Sequence, residues 1–165
     1  RSVTQTMPEA RMLILPRPFQ DGFMADLGRH FEAAGLGDHV VFAPPVPHEE
    51  VPKYIAAADV GLSPLVRTHV NNVASPAKFV EMLGMGCAVV ASEIPEQKRV
   101  LNDWEAGICV PFDADAFAAA TLELLKDPER AKRLGQNGRR FVETHRSYSS
   151  LADSVEETCL SLVRS

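Results

Sequence analysis

Lys78 and Glu81 stand one helical turn apart in the run Ser75-Pro-Ala-Lys-Phe-Val-Glu81. Together they could grip a phosphorylated sugar. Ser75 reads as a helix N-cap and Pro76 as the first helical residue. A capping box would then place Glu or Gln at the third helical position, and Lys78 stands there instead. A lysine in the first turn opposes the helix dipole at a cost of about 0.3–1 kcal/mol. The placement makes sense if an anion sits at the helix start, where backbone N–H groups point outward. Glu81 follows on the same face. A cation at the helix mouth and a carboxylate one turn in can hold a phosphate and a sugar hydroxyl, the chemistry of a nucleotide-like ligand. A plainer reading makes Lys78 a surface lysine and Glu81 its i,i+3 neighbour, a weak pair in the less favourable order. These residues alone leave both readings open.

The elements that must position them follow from periodicity. Met12–Leu15, His39–Ala43, Asp59–Leu62, Cys87–Ala91 and Gly107–Val110 are short apolar runs. Between them, helical spacing predicts helices over Phe19–Ala34, His48–Ala58, the segment opened by Ser75, Pro95–Asp103, Asp113–Lys126 and Asp127–His145, with a last one over Ser149–Val163. Gly86 is the expected left-handed stop between the Ser75 helix and the next strand. Ser63–Ala74 reads as a long loop carrying Arg67, His69, Asn71 and Asn72. Apolar strands alternating with helices predict parallel strands buried on both faces, a doubly wound α/β fold over one domain, residues 1–165. Ligands of such folds bind beyond the carboxyl ends of the strands. The candidate loops are therefore Pro16–Phe19, Pro44–Pro47, Ser63–Ala74 and Ser92–Glu96.

Composition narrows the classes. A net charge of −5 leaves no basic excess to neutralise a nucleic acid. No apolar run approaches the roughly 20 residues of a membrane helix, and no signal-peptide pattern opens the chain. A cytoplasmic protein is expected, with peripheral association to the inner membrane left open for a full-length form. Cys87, Cys109 and Cys159 are widely spaced, and the first two lie in apolar runs where small buried thiols are usual. The five histidines show no metal-ligand spacing, so no metal and no cofactor are expected. A Gly-x-Gly-x-x-Gly after a strand, a P-loop and a Gly-x-Ser-x-Gly elbow are all missing, which argues against nicotinamide dehydrogenases, P-loop NTPases and esterases. Tyr54 and Phe79 read as core residues, Trp104 as packing at a helix end, and Arg139 and Arg140 as surface charges.

Taken in order, these pieces resemble a known family. Val40-Val-Phe with Val46-Pro, Tyr54-Ile-Ala-Ala-Ala-Asp-Val60, Ser63-Pro64, Ser75–Glu81, Gly86–Ser92, Gly107–Pro111, Asp127-Pro-Glu, Leu134–Arg139 and Tyr148 are similar to the C-terminal, donor-binding half of a GT-B glycosyltransferase of the family 4, group 1, type. The resemblance spans about Asp38 to His145. It implies a Rossmann-like half of a GT-B enzyme that takes a nucleoside diphosphate sugar as donor, needs no metal and retains anomeric configuration. It implies that Glu81 holds the ribose hydroxyls and that Ser75, Pro76, Ala77 and Lys78 face the diphosphate. Val46, Asn72 and Val73 belong to the donor-binding loops, and Arg17 is a candidate for added charge.

Two departures stand out. Many members carry a Glu-x7-Glu motif, and its first position here is Val73. The glycine usual before the Val-Pro turn is Pro44, and the glycine-rich loop after the first strand reads Pro16-Arg-Pro-Phe19, so backbone N–H groups are fewer there. The chain opens at Arg1 without methionine and is expected to be a piece truncated at its N-terminal edge. The expected partners are a nucleotide sugar, an acceptor of unknown class (glycan, lipid or small molecule) and an acceptor-binding N-terminal domain lying outside these residues. The alternatives are a non-catalytic nucleotide-sugar-binding or regulatory module and a GT-B-shaped sugar-nucleotide epimerase. The isolated chain is expected to be inactive.

Overall fold

A computed structural model describes residues 1–16 and 21–163. Arg17, with residues 18–20 and 164–165, lies outside the described residues. The chain divides into two compact units, Arg1–Tyr54 and Ile55–Ser165. The parallel α/β expectation holds, with the strands in two separate ladders.

In the first unit, a short helix α1 (Ser2–Thr6) precedes β1 (Met12–Ile14). Helix α2 (Asp21–Ala33) then leads to β2 (Val40–Phe42). Strands β1 and β2 run parallel, with Met12 opposite Val40. Phe31 of α2 lies 6.2 Å from the Phe42 ring. The expected burial of every strand on both faces fails here: Met12, Leu13, Val41 and Phe42 are exposed. Within this unit a two-stranded ladder has too little packed against it to cover both its faces. The helix expected over His48–Ala58 divides into a 3₁₀ turn, His48–Glu50, and α3 (Val51–Ala56). Pro52 explains the division, because a residue without an N–H is tolerated only in the first turn of an α-helix.

The second unit carries the larger core. Strands β3 (Val60–Ser63), β4 (Ala88–Ser92) and β5 (Gly107–Val110) form a parallel sheet in the order β3-β4-β5. The loop after β3 holds a short helix, α4 (His69–Val73), where an unstructured stretch was expected. Thr68 caps it by accepting the Asn71 N–H at 3.1 Å. The remaining helices are α5 (Ala77–Gly84), α6 (Pro95–Asp103), α7 (Ala114–Lys126), α8 (Pro128–His145) and α9 (Tyr148–Val163).

Every residue of β4 is buried, and its alternation feeds two clusters. Val89 and Ala91 pack with Phe79 and Leu83 of α5, Val100 and Leu101 of α6, and Phe141 of α8. Ala88 and Val90 pack with Ala120 and Leu124 of α7 and with Ala131 and Leu134 of α8. Helices thus cover both faces, the arrangement a doubly wound sheet requires. Phe79 is fully buried, as its core assignment predicted. Trp104 closes α6 and lies 5.5 Å from the Phe141 ring. Arg139 is a surface charge that pairs with Glu143 at 2.8 Å. None of the described residues of α9 is buried.

Two glycines allow the α5–β4 turn. Gly86 has φ +76°, and the Cys87 N–H reaches the Met82 carbonyl at 3.0 Å while the Gly86 N–H reaches Leu83 at 2.9 Å. This is the paired-bond glycine stop that satisfies the last carbonyls of a helix. Helix α8 crosses the same turn at Gly135, where an added Cβ would collide with the Gly86 carbonyl oxygen. The neighbour is backbone and cannot swing aside. Gly135→Ala is therefore expected to destabilise the chain by about 1–3 kcal/mol, read as a lower midpoint in urea unfolding. An unchanged midpoint would show that α8 does not lie this close.

Candidate functional site

The candidate site is built around the start of α5. The chain enters the helix one residue later than the sequence suggests. Pro76, not Ser75, is the N-cap, with φ −69° and ψ 119°, and no side chain caps the helix. The Pro76 carbonyl accepts the Phe79 N–H at 3.1 Å, while Ser75 is exposed. The extended ψ of Pro76 leaves Ala77 as the first helical residue, and a residue ahead of proline is itself disfavoured in the helical region. Lys78 thus occupies the second helical position instead of the third.

The shift strengthens the electrostatic case. With no capping side chain, the backbone N–H groups of Ala77 and Lys78 find no partner among the described residues. Lys78 is exposed and makes no ion pair among them. A positive helix end therefore carries an additional unneutralised cation. Glu81 is half-buried one turn in. Asn72, Val73, Ser75, Pro76, Ala77, Lys78 and Glu81 all lie on one continuous α4–α5 stretch of the second unit. Val46 belongs to the first unit, in the turn between β2 and the 3₁₀ turn. Val73, eight positions before Glu81, is 87% exposed and offers no polar group.

A buried polar cluster that sequence reasoning missed holds the loop leading to this stretch. Ser63 ends β3 and Ser92 ends β4, both at the carboxyl edge of the sheet. Ser92 Oγ donates to the Leu65 carbonyl at 2.7 Å and accepts the Leu65 N–H at 2.8 Å. Gln97, fully buried on α6, donates from Nε2 to Ser63 Oγ. The loop after β3 is therefore tied to β4 and α6 before it enters α4. Asn71 adds a local tie through Nδ2 to the Val66 carbonyl at 2.7 Å. A glutamine in an otherwise polar helix gives no linear signal of burial, because its partner is 34 positions away.

Beside the stretch lies an open cavity of about 340 Å³, lined by residues that include Asn72, Ser75, Glu96, Arg99 and Arg146. Glu96 pairs with Arg99 at 3.0 Å and with Arg146. Arg146 also stands over the Phe141 ring, 5.9 Å from its centroid.

The cysteines carry no catalytic signature. Burial pushes the Cys87 thiol up to about 11, with Asp59 adding to the effect and a backbone hydrogen bond at Gly61 opposing it. Burial, then Glu93, raises Cys109. Both remain neutral thiols near pH 7, far from an activated nucleophile. Among the described residues no group of His, Cys, Asp and Glu is arranged to hold a metal ion. None of the described helices is long and apolar enough to cross a membrane.

The sequence model of the family described as glycosyl transferases group 1 matches residues 24–141. The chain belongs to this family. The phosphatidyl-myo-inositol mannosyltransferase of Mycolicibacterium smegmatis is 31% identical over 140 residues, covering 84% of this chain and 33% of that protein. The D-inositol 3-phosphate glycosyltransferase of Thermomonospora curvata is 31% identical over 111 residues, 67% of this chain and 25% of that protein. This group 1 glycosyltransferase chain thus spans about one-third of such a relative's length or less. Its fold matches sucrose-phosphate synthase from Thermosynechococcus elongatus with a TM-score of 0.83 at 24% identity, over 99% of this chain and 41% of that one. It also matches Anabaena HepE in complex with UDP with a TM-score of 0.82 at 15% identity, over 97% and 43%. The GT-B expectation is thereby met at the level of fold.

The buried cluster makes its own prediction for this domain. Gln97→Leu keeps most of the volume but leaves Ser63 Oγ without its partner, a penalty of about 1–3 kcal/mol. The expected result is a lower urea midpoint together with faster amide exchange across residues 64–68. Unchanged exchange there would show that the loop is held by something else.

Proposed function

We propose that residues 1–165 act as one nucleotide-sugar-binding domain, the donor half of a retaining glycosyltransferase. The observation that carries this reading is the uncapped start of α5, with Lys78 unpaired among the described residues and Glu81 one turn further in. The N–H groups of Ala77 and Lys78 and the Lys78 ammonium receive the diphosphate, and the Glu81 carboxylate accepts hydrogen bonds from the ribose hydroxyls. Ser75, Pro76 and the Asn72–Val73 segment border the donor; the family resemblance adds Val46, and Arg17 stays a candidate for added charge.

In sugar transfer the bond from the anomeric carbon to the diphosphate oxygen breaks, and negative charge grows on the leaving group. Fixed positive charge aimed at that oxygen lowers the barrier because it needs no reorganisation during the reaction. Lys78 and the positive end of α5 suit that task. Glu81 positions and does not react, holding the nucleoside so that the anomeric carbon faces the acceptor. No metal is needed, since the lysine and the helix end supply the counter-charge. The acceptor (a glycan, a lipid or a small molecule) is bound by a separate N-terminal domain, and the enzyme works in the cytoplasm. HepE in complex with UDP and with UDP-glucose shares this fold, which supports a nucleotide-sugar donor.

One observation favours a second reading. Val73 removes the carboxylate that many members use to touch the transferred sugar, which favours a module that binds a nucleotide sugar without transferring it. A GT-B-shaped epimerase remains a further alternative for the same fold.

Calorimetric titration with UDP, GDP and ADP in the presence of EDTA tests the donor site. One of them binds, and Lys78→Ala weakens it by about 1.5–3 kcal/mol, about one to two orders of magnitude in Kd. Glu81→Ala weakens the nucleoside diphosphate but not inorganic pyrophosphate, which has no ribose. Equal affinity in wild type and Lys78→Ala would remove the diphosphate role.

The isolated 165-residue chain is expected to show no sugar transfer. The full-length protein transfers with retention, read by NMR of the product anomer. Appreciable turnover by the isolated chain, or an inverted product, would contradict this account.

A further inference from the structure

In the donor reading above, the ligand has a direction. Glu81 holds the ribose one turn inside α5, and the diphosphate sits at the helix mouth. The transferred sugar hangs on the far side of the diphosphate. It therefore extends past the helix start, toward the chain that leads in from α4 (His69–Val73) through Ala74 and Ser75.

What this stretch shows to solvent beside α5 is mostly aliphatic. Val70 is 73% exposed and Val73 87%. Three positions apart on one helix, they share a face. Val66, in the loop just before α4, is also exposed. Several polar side chains of the stretch are turned to other tasks. Thr68 Oγ1 caps α4, Asn71 Nδ2 donates to the Val66 carbonyl at 2.7 Å, and Asn72 Oδ1 is buried. Arg67 and His69 are exposed at the end of the stretch farther along the chain from α5, and Ser75 offers one hydroxyl at the near end. Folding gives no reason for the two helical valines. They are β-branched residues, middling helix formers, and they bury little of their surface.

An aliphatic face sorts sugars by what they put against it. A methyl group gains contact there. A hydroxyl gives up hydrogen bonds to water and finds no partner. The largest apolar group a hexose can carry is the methyl of a 6-deoxy sugar, which stands clear of the ring. Loss of a ring hydroxyl leaves only a methylene flush with the ring, a smaller gain.

We propose that the donor sugar is a 6-deoxyhexose, with its methyl group packed on Val73 and Val70 as specificity-determining residues. This assignment rests on the donor reading and deepens it by naming the class of sugar. It also gives Val73 a role in an active transferase: the apolar side chain changes which sugar is held. Selection of this kind is modest, because an aliphatic pocket rejects an added hydroxyl by about a hundredfold at most. On a face this open, about tenfold is expected.

Calorimetric titration of the 165-residue chain tests the proposal with pairs that differ only at O6. These are UDP-glucose and UDP-6-deoxyglucose, GDP-mannose and GDP-6-deoxymannose, and ADP-glucose and ADP-6-deoxyglucose. On the nucleotide that binds, the deoxy member should bind about tenfold tighter. Val73→Gln should abolish or reverse that ratio, and Val70→Asn should reduce it. Both valines are exposed, so the fold does not depend on them, and a ratio within one variant cancels any general loss of affinity. A ratio near one, or one favouring the hydroxylated sugar, overturns the proposal, as does a preference that survives both substitutions. If that happens while Lys78→Ala still weakens the bare nucleoside diphosphate, the sugar assignment falls and the donor reading stands. If neither nucleoside diphosphates nor nucleotide sugars bind, both fall.

Discussion

The complete burial of β4 is the constraint on which the rest of the second unit depends. A strand covered on both faces admits only small or apolar residues, and Ala88-Val-Val-Ala-Ser92 supplies them. Its two ends then set the geometry of everything nearby. At the amino end, the Gly86 stop fixes where α5 finishes, and Gly135 lets α8 press against the same turn. At the carboxyl end, Ser92 turns its hydroxyl into the loop after β3. Helix α5 is thus located by its last residue, and the loop leading to its first residue is located by Ser92 and Gln97. The start of α5 is held between two anchors at the two ends of one strand.

That arrangement makes an unfavourable local choice tolerable. A lysine in the first turn works against the helix dipole, and an exposed helix start without a capping side chain forgoes about 1 kcal/mol. Neither choice helps α5 form. The helix forms because Phe79 and Leu83 are fully buried, each contributing roughly 1.5–3 kcal/mol. Packing carries the stability, so the first turn can hold a locally unfavourable charge. A local rule broken where packing compensates is the pattern expected of a functional site.

Much of this was legible in the sequence, for physical reasons that differ by residue. The apolar run over Cys87–Ala91 and the glycine before it mark α5 and β4 because periodicity and left-handed glycine are local signals. The placement of Lys78 and Glu81 one turn apart on α5 was legible for the same reason. The true start of α5 was not, since Ser75 and Pro76 compete for the cap and the outcome depends on the ψ of Pro76. Helix α4 was hidden in a polar stretch too short to show a period. Gln97 and Arg146 could not be read at all: their partners Ser63 and Glu96 lie 34 and 50 positions away. Long-range polar contacts leave no mark on a linear pattern. The open faces of β1 and β2 also ran against expectation, because apolar composition states what a strand can bury and not what is packed against it.

The most direct test of the central claim is a crystal structure of the chain with a bound nucleoside diphosphate. The account predicts diphosphate oxygens at hydrogen-bond distance, about 2.7–3.2 Å, from the Lys78 ammonium and from the N–H groups of Ala77 and Lys78, with a ribose hydroxyl on the Glu81 carboxylate. A nucleotide bound elsewhere, with the start of α5 facing only water, would contradict it.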